Sequence, residues 1–327
     1  MSSLVGIARL AAQADRLESK REVEYFLLPV RTFINRCLRG SRMPFAWTLN
    51  PYRGCEFGCV YCYARYTHEF MELREPAQFE DRIFAKQWNE QAFRRELRRI
   101  PRREEIAIGT ATDPYQPAER RFGITREILR VFAGETGRHV SITTKSDLVP
   151  RDLDLLLAIA SRNRLWVNFT ITTLDAELAR MLEPRAPRPD LRLAAAAKLA
   201  AAGIGSSVFC CPILPLINDG EEQLDALAAS AARAGVDQLH GHVVYLKAAA
   251  LQVFLPFLEE RFPHLARRYR ERFEQSAFLR GDYPRKIAAR MAAVRRRHSL
   301  DGPKRTGPPA YWMLEPQMDL FTPQSTC

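Results

Sequence analysis

From residue 46 onward the chain alternates between short apolar runs and amphipathic helical stretches, and this alternation restricts the fold more than any other feature. The segments "FAWTLNPY", "EEIAIGT", "HVSITTK", "RLWVNFTITT", "IGSSVFCCPIL" and "VDQLHGHVVYL" are rich in β-branched and aromatic residues and read as strands. Between them "TREILRVFAGE", "PRDLDLLLAIASRN", "LDAELARML", "DLRLAAAAKLAAAG" and "GEEQLDALAASAARAG" read as helices, one opened by Pro150 in its first turn and one closed by Gly235. Six strands alternating with helices specify a parallel α/β sheet, open or curled. Six units fall short of the eight in a closed barrel. The expected fold is therefore α/β, a partial (β/α)6 TIM-like barrel over residues 46–250. Residues 1–45 form an N-terminal extension that mixes a short helical stretch with "EYFLLPVRTFINR". Residues 251–300 read as a basic helical segment, and 301–327 as a flexible Pro-rich tail.

In such folds reactive groups gather where strands end. Directly after the first strand comes "NPYRGCEFGCVYC", with Cys55, Cys59 and Cys62 spaced Cys-x3-Cys-x2-Cys. Three thiols are one ligand short of a closed tetrahedral zinc site, and His68 is the nearby residue able to complete one. An iron–sulfur cubane is different: three thiolates hold three irons and leave the fourth open to a small molecule.

The whole chain has seven cysteines, an odd number with three clustered, which does not fit a disulfide framework. The first apolar stretch is interrupted by Arg9 and Asp15, unlike a secretory leader, and the most apolar region carries Lys198 and reads as helix then strand, not a membrane span. A cytoplasmic protein is expected. The net charge is +11. Residues 261–305 hold fourteen Lys/Arg against four Asp/Glu, so one C-terminal segment carries nearly all of the excess. Its basic helices, with Tyr269, Phe273, Phe278 and Tyr283, suit phosphate contact with nearby stacking. The arginine-rich run from Arg94 to Arg103 reads as a solvated helix face.

The Cys-x3-Cys-x2-Cys spacing, with Tyr61 before the last cysteine, resembles the radical S-adenosylmethionine (SAM) superfamily. "CVYCYAR", "GTATDPYQPAE", "ITTKSDLV", "FTITTLD", "LEPRAP" and "PILPLIND" are similar to its spore photoproduct lyase-like branch, over about residues 30–260. The resemblance implies a [4Fe-4S] cluster on Cys55, Cys59 and Cys62, with S-adenosylmethionine at the open iron. It implies reductive cleavage of that cofactor to a 5′-deoxyadenosyl radical, with an electron from a reductant such as flavodoxin or ferredoxin. By the same resemblance Tyr61 flanks the adenine, Lys145 contacts the cofactor carboxylate, and Thr170 or Thr172 offers a hydroxyl to the cofactor. Thr112 and Asp113 match a Thr/Ser-Asp pair, and Tyr63 a tyrosine that relays a hydrogen atom. The chain departs from the lyase at Thr110, where the lyase has a hydrogen-donating cysteine; a hydroxyl O–H bond is too strong for that role. Cys210 and Cys211 lie on the fifth strand, where alternation sends at most one inward. They read first as core residues. His240 and His242 share one strand face.

Three functions remain open on this reading: a radical enzyme acting on nucleic acid, most simply DNA; the same chemistry on a peptide, protein or small molecule; or a nucleic-acid-binding protein that keeps the cluster for structure or redox sensing. The tail adds "QMDLF", in which Gln317, Met318, Leu320 and Phe321 resemble the peptide that docks bacterial repair proteins on the sliding clamp.

Overall fold

The computed structural model describes residues 4–20, 23–37 and 44–302; the clamp-like peptide at Gln317, Met318, Leu320 and Phe321 lies outside the described residues. Eleven strands occur among the described residues: β1 (Asp15–Lys20), β2 (Val23–Leu28), β3 (Ile34–Arg36), β4 (Trp47–Leu49), β5 (Tyr52–Arg53), β6 (Arg82–Lys86), β7 (Glu105–Ile108), β8 (His139–Thr144), β9 (Arg164–Thr170), β10 (Ser206–Ile213) and β11 (Gln238–Val243).

Seven of them form one sheet in the order β11-β10-β9-β8-β7-β4-β3. Every neighbouring pair is parallel except β3 with β4. The six parallel strands follow chain order across the sheet, as right-handed βαβ units laid side by side produce. They are the six strands expected from the sequence, and the sheet does not close. The fold is thus mixed α/β with a partial barrel.

One face of these strands carries Ile106, Ile108, Val140, Ile142, Val167, Phe169, Val208 and Leu239, all buried in one core with Ile128, Leu156, Leu199 and Leu227 of the crossover helices. Side chains alternate along a strand. The opposite face therefore carries Ser141, Thr143, Asn168, Phe209 and Cys211, with His240 and His242 on the sixth strand. Cys210 lies in the helix-side core and is fully buried, so the two adjacent cysteines do face opposite ways.

A second, four-stranded sheet in the order β1-β2-β6-β5 was not anticipated. The N-terminal segment supplies β1 and β2, and β2 runs parallel to β6. β5, the two residues before the cysteine loop, pairs with β6. The loop thus springs from the junction of two sheets.

At the other end of the chain, helices Ala248–Arg261 and Pro263–Phe273 pack Phe254, Leu258, Tyr269 and Phe273 into a second apolar cluster. That cluster also contains Cys55, Cys59, Phe57 and Tyr61, so the basic helices roof the cysteine loop. A third helix, Asp282–Arg297, packs against β11.

Candidate active site around the cysteine loop

The loop is held in place by backbone and side-chain bonds that its sequence makes possible. Gly54 has φ of +80°, and a Cβ there would sit 2.8 Å from the carbonyl oxygens of Phe79 and Arg82. Only glycine tolerates both the left-handed backbone and that approach. The Cys55 N–H donates to the Phe79 carbonyl at 2.9 Å, and the Val60 N–H to the Leu182 carbonyl at 3.0 Å. Arg65, nearly fully buried, donates to the Cys59 carbonyl at 3.1 Å and pairs with Glu80 at 2.5 Å. Gln116, fully buried, clamps the loop start. Its Nε2 donates to the Gly54 carbonyl at 3.1 Å, and its Oε1 accepts from the Glu56 N–H at 2.9 Å.

The remaining expected residues stand at the C-terminal ends of the parallel strands. After β7, Gly109 has φ of +89°, and a Cβ there would meet the Thr143 carbonyl at 2.5 Å, so the turn leaves the strand tightly. It delivers Thr112, whose hydroxyl donates to the Gly54 carbonyl at 2.5 Å. Next comes Asp113, whose Oδ1 accepts from the Thr144 hydroxyl at 2.7 Å and the Tyr115 N–H at 2.9 Å. Its Oδ2 accepts from the Lys145 N–H at 2.7 Å. Burial pushes the Asp113 carboxyl up, against these three donors. In this geometry Thr112 fixes the cysteine loop, and Asp113 fixes the backbone of Lys145.

Tyr61 and Thr172 meet at a carboxylate that the sequence reading passed over, and its field reaches Lys145. The Tyr61 hydroxyl donates to Glu183, and Thr172 donates to the same carboxylate at 3.2 Å. Arg192 pairs with Glu183 at 2.5 Å, both side chains almost fully buried. Arg192 also donates to the Thr170 carbonyl at 3.0 Å. The Lys145 Nζ lies 5.7 Å from the centre of the Tyr61 ring. Burial opposes charge on Lys145, yet the field of Cys59, Glu183 and Cys62 holds its pKa above the usual lysine value. No ion pair or hydrogen bond engages that ammonium among the described residues, so it is available to an anionic group. Glu183 sits in the quoted "LEPRAP", and the clue to Arg192 was a lone arginine within an alanine-rich helix.

Tyr63 follows the last cysteine. Its hydroxyl donates to the Thr110 carbonyl, while the Thr110 hydroxyl accepts from Asn50 at 3.2 Å. The Tyr63 ring packs on Tyr245 at 5.2 Å, and Tyr245 stacks on Phe278 at 5.4 Å. His68 packs between Phe79 and Phe84, with Nε2 3.2 Å from the Arg82 carbonyl. Burial lowers its pKa to about 4. It is a packing residue in this structure.

The donor set fits an iron–sulfur cluster. All three thiols are free, Cys55 and Cys59 are buried, and Cys62 is half-buried. Burial pushes Cys59 up to about 12 and raises Cys55 and Cys62 as well. Such thiols become thiolates only beside strong positive charge, which bound metal supplies. Among the described residues no group of three or more His, Cys, Asp or Glu is arranged to hold a single ion.

The model of the Radical SAM superfamily matches residues 49–228. An uncharacterised protein of Mycobacterium tuberculosis is 34% identical over 280 residues, covering 85% of this chain and 82% of the relative. An uncharacterised protein of Methanocaldococcus jannaschii is 29% identical over 187 residues, covering 55% of this chain and 66% of its own length. Among solved structures, a spore photoproduct lyase variant with bound AdoMet and dinucleoside spore photoproduct superposes with a TM-score of 0.61 at 17% identity, covering 91% of this chain and 85% of that one. At that identity the likeness speaks for the fold. The chain belongs to the radical SAM superfamily and is a radical SAM enzyme.

Proposed function

We propose that the protein acts on nucleic acid, most simply DNA, using S-adenosylmethionine bound beside a [4Fe-4S] cluster on Cys55, Cys59 and Cys62. When bound, the pair supplies a one-electron reductive cleavage of the sulfonium. The chain's own residues bind, orient and shield. Lys145 offers an ammonium to the cofactor carboxylate, a charge-assisted contact that is strong in a poorly solvated pocket. Tyr61, held by Glu183, flanks the adenine, and the Thr170 and Thr172 segment completes that wall. Thr112 and Asp113 hold the cysteine loop and Lys145 in register. The roofing helices keep water from Cys55 and Cys59, as chemistry with a reactive carbon centre requires.

The observation that carries the nucleic-acid reading is an aromatic track. Phe278 is 59% exposed; it stacks on Tyr245, which packs on Tyr63 beside Cys62. Two cations stand within two residues of the track in the sequence: the Lys247 Nζ lies 3.6 Å from the centre of the Tyr66 ring, and Arg280 is exposed. Exposed aromatics beside cations suit unstacked bases and their phosphates. The four aromatics expected to stack are corrected to one. Tyr269 and Phe273 are buried under the roof, and Tyr283 is half-buried with its hydroxyl on Asp219. Spore photoproduct lyase has been solved with dinucleoside spore photoproduct, which supports the same substrate class by analogy.

The test is isotope transfer. Anaerobically reconstituted protein, given reductant, S-adenosylmethionine and uniformly deuterated DNA, is expected to yield deuterium in 5′-deoxyadenosine. Deuterium arriving instead only from a deuterated peptide or small-molecule fraction would overturn the nucleic-acid reading. Absence of 5′-deoxyadenosine with any substrate would leave a binding protein with a structural cluster.

A further inference from the structure

A cavity of about 290 Å3 lies between the two sheets, beside the residue that follows the third cysteine. Its lining includes Asn35 of β3, Thr48 of β4, Arg53 of β5 and Lys86 of β6, with Tyr63 and Tyr66. Two of these six are basic residues, and among the described residues no Asp or Glu lines the space. Lys86 is only 4% exposed. Its ammonium donates to the Phe33 carbonyl at 3.3 Å and lies 5.5 Å from the centre of the Phe33 ring. Neither of these is a countercharge. Glu96, which accepts from the N–H groups of Phe33 and Ile34 at 2.9 and 3.0 Å, is the one carboxylate whose field supports charge on Lys86; burial and the Arg53 guanidinium outweigh it and lower the Lys86 ammonium to about 7, so an incoming anion would restore its full charge.

Arg53 is the stronger sign. Its Nε is buried with no hydrogen-bond partner, and its guanidinium makes no ion pair among the described residues. Arg53 is half-buried, so the cost falls on that Nε–H, a donor shut away from water with no acceptor. Burial alone lowers even the arginine pKa. The side chain is also placed by function-bearing sequence: it directly precedes Gly54 and the cysteine loop. The result is a basic pocket ringed by amide and hydroxyl groups, with no carboxylate on its lining among the described residues.

We propose that this cavity binds one phosphate group of the substrate, with Arg53 and Lys86 as its countercharge. The fork of a guanidinium matches phosphate oxygens in pairs. Two cations answer a group carrying between one and two negative charges better than a single carboxylate. The volume is at the lower end of small-molecule sites, which run from roughly 300 Å3 upward, so it admits one phosphate with its attached sugar and excludes a duplex. Tyr63 lies on the shared wall, so a phosphate seated here holds the neighbouring nucleoside against the cysteine-loop site. The assignment rests on the nucleic-acid reading only for what carries the phosphate.

Calorimetric titration of the reconstituted full chain with inorganic phosphate tests it, with acetate as the carboxylate control. Saturable phosphate binding is expected, weakened about tenfold or more by Arg53→Gln and by Lys86→Gln, with acetate binding much more weakly. Phosphate should raise the melting temperature of the wild type and leave that of Arg53→Gln unmoved, which separates lost binding from lost folding. Absence of saturable phosphate binding, equal affinity in both variants, or acetate binding as well as phosphate overturns the proposal. Phosphate binding lost in Arg53→Gln, together with no DNA affinity in the wild type, upholds the cavity while removing the nucleic-acid reading.

Discussion

Lys145 and the Glu183–Arg192 pair carry the site at the scale of single residues. An ammonium with no partner in a partly buried site is poised for an incoming carboxylate. Lys145→Met is expected to weaken S-adenosylmethionine binding about tenfold or more while iron and sulfide content stay at wild-type levels, as read by titration and iron analysis. Glu183 and Arg192 answer to a different rule. Breaking a buried pair strands one charge, at a cost of about 3–5 kcal/mol. Arg192→Leu should therefore lower the denaturation midpoint steeply, and the double change Arg192→Leu with Glu183→Leu should recover part of the loss. His68 gives a pH signature. Its folded pKa of about 4 lies below the ordinary value of 6.5, so the neutral ring's contribution is complete above that ordinary value. It is lost as pH falls toward the folded one. Denaturant midpoints measured at pH 7.5 and pH 5 should differ less in His68→Leu than in the wild type.

The elements decide how those residues meet. Gly54 sits where β5 hands the chain to the cysteine loop, and both its φ and its surroundings refuse a side chain. Gly54→Ala should leave the far-UV spectrum near wild type while iron incorporation during reconstitution drops severalfold. Normal iron loading in that variant would show that the loop does not need this turn. The barrel strands were legible because each is an apolar stretch with β-branched or aromatic residues set between helices of period 3.6. The cysteine loop was legible from spacing alone. The small sheet was not: β1 is charged and mixed in character, β5 has only two residues, and β6 interrupts a stretch with no alternation to mark it. Gln116 and Arg192 were also hidden. Their importance comes from partners 60 and 9 positions away, Glu56 and Glu183, and a single sequence does not reveal such pairings. The aromatics of the basic segment misled for a related reason. Helical spacing places Tyr269 and Phe273 on one face, and that face turned out to be the roof's underside.

At the scale of the whole molecule, the C-terminal segment joins two tasks. Its inner face closes the site, and its outer face carries Arg268, Arg280, Lys286 and Arg296, exposed and without ion pairs among the described residues. Deleting it would open the core, so charge reversal is the cleaner probe. Changing those four residues to Glu should weaken DNA binding and flatten its salt dependence by about 0.9 in log–log slope for each phosphate that is no longer neutralised, as measured by fluorescence anisotropy across a salt series. We propose that the peptide at Gln317–Phe321 docks on the sliding clamp, and Leu320→Ala with Phe321→Ala should then abolish clamp pull-down. The proposed radical chemistry rests on a cluster with one iron open to the cofactor. Electron paramagnetic resonance of the reduced, reconstituted protein tests that most directly. The cubane signal is expected to change when S-adenosylmethionine is added; a signal indifferent to the cofactor, or a protein that loads zinc in place of iron, would contradict it.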